Sequence, residues 1–446
     1  MTLFGPLAIM ALSSASGICE ASDPLAARVY QHTSAKGQVS SAILLKAGEL
    51  SKGVPIRQHI VVVDTSASQV GEHRRQSLNV LESLLKSLPE DDQVRLFAAD
   101  LQAEPLDQGF HGAHSNEVAD SIELLKMRVP LGATNLEGVL RTAMKAATDA
   151  PTDITYIGDG MSTADLLEIP ELRGLVADLR QRKMPVHAFG VGAQRNMQLL
   201  GVLAHHTGGY VSFDTVVIDA SDEKAVKAEK TKSAKLAGDI ARVRRSAAER
   251  AAEQGKALAT ALNAPVFFSK EIHLNSEGAL LLPMEGLPVR TDRETIYLLR
   301  GSVPAALRLT LTNDAGDVLE WKCAAAVEQP GATFLPLLIG QLEASQGLTN
   351  PLAGLTLYLY AQSDFSDNLT AMAQRGMQAL QLNDLKQANQ ISQMVSDAEP
   401  QNEAGVILKR SLERLKSQPG KASTPGNAQK PIPGTNSGDA APQKKK

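Results

Sequence analysis

Five oxygen-bearing side chains are the residues of this sequence best suited to chemistry. Asp64-Thr65-Ser66-Ala67-Ser68 directly follows a run of valines and sets one carboxylate and two hydroxyls at alternate positions. Thr134, within Gly132-Ala133-Thr134-Asn135-Leu136, stands just before a helical pattern, and Asp159-Gly160 closes another apolar run. All five are hard oxygen donors with no thiolate or imidazole among them, a set that suits a hard cation. Simpler roles compete for single members. Asp64 and Ser66 are favoured helix caps, a reading that leaves Thr134 and Asp159 unexplained. His205-His206 adjoins the Gly208-Gly209 turn and reads as a helix end, since no carboxylate or Cys pattern accompanies it. Cys323, between Lys322 and Ala324 in an alternating stretch, reads as a small core residue rather than a nucleophile.

Bringing side chains so far apart in sequence to one place needs a scaffold, and residues 56–215 have the pattern of one. Short β-branched runs alternate with amphipathic stretches, as in a parallel sheet covered by helices. Strands are predicted at His59–Asp64, Gln93–Asp100, Asp153–Gly160, Val186–Gly192 and the short run YVSF. Helices are predicted at Arg75–Leu88, Leu136–Ala147, Glu171–Arg182 and Met197–His206. Open sheets of this kind bind ligands at the carboxyl ends of their strands, where Asp64 and Asp159 fall.

These motifs resemble the von Willebrand factor type A (VWA) domain with its metal-ion-dependent adhesion site, over about Ile56 to Asp214. The resemblance places the family's first motif on Asp64, Ser66 and Ser68, its threonine on Thr134 and its last aspartate on Asp159 beside Gly160. Ala133 stands where the family commonly has glycine, a change that leaves the ligands untouched. The implied fold is a doubly wound, mostly parallel α/β sheet of Rossmann-like type. The implied cofactor is Mg²⁺, with Mn²⁺ or Ca²⁺ as alternatives, and the implied partner is a protein whose Asp or Glu completes the coordination.

The rest of the chain points to further domains, since 446 residues exceed what one core supports. Residues 1–21 read as an export signal: an apolar run followed by small residues near Cys19, although no Lys or Arg precedes it. That predicts a periplasmic or extracellular protein. Residues 22–55 hold strands that could join a later sheet from the other side of the first domain. Residues 220–263, charged and Ala-rich without proline, read as a connecting helix. In residues 265–330 the period changes to two, clearest around the Asn313–Gly316 turn, which predicts a β-sandwich. Residues 334–416 return to helix, and Gly376, Ala388 and Pro400 recur in a spacing that resembles one tetratricopeptide repeat, with a plain helical hairpin as the alternative. Residues 417–446 are rich in Pro, Gly, Ser and Lys and read as a disordered tail.

A net charge of -4 gives no electrostatic footprint for nucleic acid. Two cysteines provide no disulfide framework, and no segment beyond the start is apolar enough for a transmembrane helix. The leading functional reading is a non-catalytic binding or assembly protein. One alternative is a Mg²⁺-dependent phosphohydrolase with Asp64 as nucleophile, against which Ser66 stands where the haloacid-dehalogenase pattern wants a second Asp. Another is a scaffold in which the metal only stabilises the fold.

Overall fold

The computed structural model describes residues 25–50, 56–214, 234–276 and 280–417; the expected signal peptide and C-terminal tail lie outside them. Strands β1 (Leu25–Thr33) and β2 (Val39–Leu45) come first, then the α/β domain. Its elements are β3 (Gln58–Asp64), α1 (Glu72–Ser87), β4 (Gln93–Ala99), β5 (Ala103–Pro105), β6 (His111–Gly112), α2 (Asn116–Met127), α3 (Leu136–Ala146), β7 (Thr152–Gly158), α4 (Ile169–Gln181), β8 (Val186–Gly190), α5 (Met197–Thr207) and β9 (Val211–Phe213). The sheet runs β5-β4-β3-β7-β8-β9, with β4, β3, β7, β8 and β9 parallel.

Alternation along β3 explains why helices cover both faces. Ile60 and Val62 point into one apolar cluster with α3, α4 and α5. Val61 and Val63 point into the other, with α1, α2 and the following helix, α6 (Ala234–Leu262). From β3 the chain winds first to β4 on one side and then to β7 and β8 on the other. The reversal therefore opens a crevice at the carboxyl ends of β3 and β7, the usual ligand position in such sheets. Helix α6, read from sequence as a connector, does more than connect: Ala251, Leu258, Ala259 and Leu262 are buried in the second cluster. Gly255 lets it approach so closely that a Cβ there would lie 2.5 Å from the Val80 carbonyl oxygen.

Strands β10 (Val266–Phe267), β11 (Ser269–Leu274), β12 (Leu281–Leu282), β13 (Val289–Arg290), β14 (Thr295–Arg300), β15 (Arg308–Asn313), β16 (Val318–Cys323) and β17 (Val327–Glu328) follow. Most of them join β1 and β2 in one sheet, ordered β11-β15-β16-β1-β2-β14-β12. Strand β1 is the hinge of this sheet. Its Leu25–Ala27 pair with β16, its Arg28–Thr33 with β2. The two halves enclose a common core containing Val29, Ile43, Tyr297, Leu309 and Trp321. The outer face of β2 and β14 is covered by α7 (Leu335–Ala344) and by Tyr358 of α8 (Leu355–Gln381). The α/β domain is thus inserted in sequence between β2 and β10.

The chain divides into two compact units between Phe365 and Ser366. In the second, the later part of α8 packs with α9 (Leu385–Ala398) and α10 (Glu403–Ser417). A Cβ on Gly376 would lie 2.5 Å from Leu408 and 3.0 Å from Ile391, so the glycine allows three helices to meet.

Candidate metal centre

The residues singled out in the sequence come together where the sheet winding reverses. Asp64 ends β3 and Asp159 immediately follows β7. The Asp64 carboxylate accepts from the Ser66 backbone N–H at 2.8 Å and from the Thr134 hydroxyl at 3.3 Å. Ser66 Oγ lies 3.0 Å from Ser68 Oγ, and Ser68 Oγ donates to Asp159 Oδ2 at 2.5 Å. The five residues therefore belong to one continuous polar network.

Backbone hydrogen bonds fix the loops that carry them. Thr65 N–H donates to the Ala99 carbonyl, Ala67 N–H to that of Gly132, and Leu131 N–H to that of Thr65. Ala164 N–H donates to the Thr134 carbonyl, and Asn196 N–H, at the start of α5, to that of Asp159. Gly132 and Gly160 take φ of 77° and 71°, which an L side chain resists.

Burial sets the electrostatics. Asp64 is fully buried and Asp159 is only 4% exposed, yet neither forms an ion pair with Lys or Arg among the described residues. Burial raises the Asp64 pKa. Hydrogen bonds from Tyr156 and Ser66 oppose that shift, and the neighbouring Asp159 charge reinforces it. Two buried carboxylates beside three hydroxyls, with no Lys or Arg in ion-pair contact among the described residues and Arg74 coupled to Asp64 only through longer-range charge, fit a hard divalent cation in both donor type and charge.

Three participants were not read from the sequence. Tyr156 OH donates to Asp64 Oδ2 at 2.6 Å, and burial, then the two aspartates, hold this phenol well above its ordinary pKa. Tyr156 and Gly158 share one side of β7, and the phenol reaches Asp64 only because Gly158 has no side chain. A Cβ there would lie 2.5 Å from both Tyr156 OH and Asp64 Cβ. Gln69 Nε2 donates to Asp159 Oδ2 at 3.1 Å. A tyrosine within a fully buried central strand was the available signal, because a buried phenol hydroxyl needs a partner.

The other polar residues weighed from sequence lie away from this network. His205 and His206 are buried at the end of α5, and His206 Nδ1 is 3.3 Å from Glu285. Burial lowers the His205 pKa well below its ordinary value. Cys323 is packed in the core that the eight-stranded sheet encloses, where burial pushes its thiol up to about 11, too high for a ready thiolate.

The doubly wound sheet makes the first domain an open α/β fold with its crevice at the winding reversal. Residues 58–213 match the family model of the von Willebrand factor type A domain, so the chain contains a VWA domain over that stretch. No curated protein matches the sequence. Among solved structures, the chain is similar to a von Willebrand factor type A protein from Catenulispora acidiphila, with 12% identity, a TM-score of 0.42, and coverage of 85% of this chain and 87% of that one. It is also similar to the ArnB paralog VWA2 from Sulfolobus acidocaldarius, with 13% identity, a TM-score of 0.37, and coverage of 87% and 92%. A third similarity is to manganese-loaded TRAP protein from Plasmodium vivax, with 17% identity, a TM-score of 0.30, and coverage of 40% and 72%.

Proposed function

We propose that this is an exported, non-catalytic binding or assembly protein that holds a divalent cation at Asp64, Ser66, Ser68, Thr134 and Asp159 and uses it to capture an acidic residue of a protein partner. The observation that carries the reading is the pair of buried carboxylates joined by three hydroxyls in one network at the winding reversal of a VWA sheet. Mg²⁺ is the first choice, because hard oxygen donors and retained water suit it; Mn²⁺ and Ca²⁺ use similar donors. The ion would supply an electrophilic position for one further anionic oxygen. Asp64 and Asp159 balance its charge, and Tyr156 and Gln69 orient those carboxylates from behind.

Export rests on the apolar start of the chain. Among the described residues no helix is long and apolar enough to cross a membrane. The three helices of the second unit, with their tetratricopeptide-like spacing of small residues, are proposed as a second contact surface. The test is titration calorimetry of the full chain with Mg²⁺, paired with affinity capture in Mg²⁺ and in chelator. Asp64→Ala should abolish the Mg²⁺ heat without unfolding the protein, and chelator should release captured partner. Undiminished Mg²⁺ binding by Asp64→Ala would refute the assignment.

A further inference from the structure

The loops that converge on the five oxygens also carry large apolar side chains facing solvent: Val70, Leu101, Val129, Leu131, Met161 and Leu166. Single exposed hydrophobics are ordinary on protein surfaces, whereas a cluster around one site marks an interaction surface. The clustering follows from the backbone. Val70 lies two residues beyond Ser68, Val129 and Leu131 lead into Thr134, and Met161 N–H donates to the Asp159 carboxylate. Leu101 follows Asp100, whose carbonyl accepts from Asn135 N–H beside Thr134, and Leu166 lies two residues beyond Ala164, which donates to Thr134 itself. Leu166 is 81% exposed and Val129 67%.

Charge on the same loops narrows what could cover them. The Arg128 guanidinium, next to Val129, is held by Asp100 and Glu104. Asp165 and Glu168 are exposed on either side of Leu166. A strongly acidic segment would meet repulsion from these rim carboxylates, and a basic segment would lack the anionic oxygen that the centre wants. A single acid in an apolar setting meets neither obstacle.

We infer that these loops form an apolar collar that receives a partner segment in which one Asp or Glu is flanked by bulky aliphatic side chains. The inference rests on the proposed metal reading, with the acid as anchor and its neighbours packing on the collar. Aliphatic contact then provides much of the affinity, so binding should vary little with salt compared with a charge-driven complex.

The test uses the full chain in Mg²⁺ to select from a displayed library of nine-residue peptides with a fixed central Asp, eluting with chelator. The expected result is enrichment of Leu, Ile, Val or Met beside the Asp. The selected peptide, resynthesised, should bind the Val129→Ser, Leu166→Ser double variant roughly tenfold more weakly, while the variant keeps wild-type Mg²⁺ heat and thermal midpoint. Polar or charged flanks, or undiminished binding by the double variant, would overturn the collar and leave the metal site standing. Absence of Mg²⁺ heat in the wild-type chain would instead overturn the metal reading, and the collar with it.

Discussion

Asp64 is fully buried and has no Lys or Arg in ion-pair contact among the described residues, with Arg74 acting on it only through longer-range charge, and Tyr156 is its main support. Tyr156→Phe removes that donor and leaves a buried carboxylate oxygen short of a partner. It should destabilise the chelated protein by about 1–3 kcal/mol, read by urea denaturation. Added Mg²⁺ should restore part of the loss, because ligand binding to the native state stabilises it. The five proposed ligands were singled out in the sequence because they are hard oxygen donors at the positions that the resemblance to the VWA motif assigns, and their side chains lie in one network. Tyr156, Gly158 and Gln69 were not, because their contributions depend on how close β3 and β7 lie and on which side chain is missing between them.

At the amino end of the same sheet, His59 in β3 is fully buried between Asp153, 3.0 Å away, and Asp92, 3.3 Å away. Arg57 also binds Asp92, while His187 on β8 faces Asp153 and Arg290 adds positive charge nearby. Burial alone would lower the His59 pKa, but the two aspartates overcome it and raise it from 6.5 to about 9. A group whose folded pKa is raised stabilises fully below its unfolded value and loses that contribution as pH climbs through the folded one. Thermal midpoints should therefore fall as the pH rises from about 6.5 to beyond 9, and His59→Asn should flatten that slope while lowering the plateau at neutral pH. A wild-type slope retained in the variant would assign the effect elsewhere. Elements were legible in proportion to how strongly apolar periodicity marked them. HIVVVD was plain as a buried strand, whereas α2 went unread because only Val118, Ser121 and Leu125 are buried and a serine interrupts the apolar stripe.

The α/β domain is tied by buried arginines to the β13–β14 segment that follows it. Arg293 donates to the Ala204 and Gly209 carbonyls at the end of α5, and Arg290 to those of Gly208 and Ala261. Arg293→Ala should cost about 1–3 kcal/mol in a denaturant titration by removing the guanidinium donor to the Gly209 carbonyl, whereas the Ala204 carbonyl keeps the backbone N–H groups of Gly208 and Gly209. In cells, mass spectrometry of the mature protein should find an amino terminus between about Gly17 and Ser22; an intact Met1 would exclude export by cleavage. The sequence pattern offered residues 22–55 as strands of a later sheet, but not the particular pairing of β1 with β16, because periodicity marks strands without assigning their register partners. That pairing has a consequence in time. Leu25 meets Trp321 across about 300 residues of intervening chain, and at a synthesis rate of ~5–20 residues per second the wait is about 15–60 s. Throughout it β1 and β2 stand as open edges while the VWA sheet, complete by Phe213, can already fold. The newborn chain is therefore most vulnerable to mispairing at its start, and the last strands to emerge are the ones that seal it.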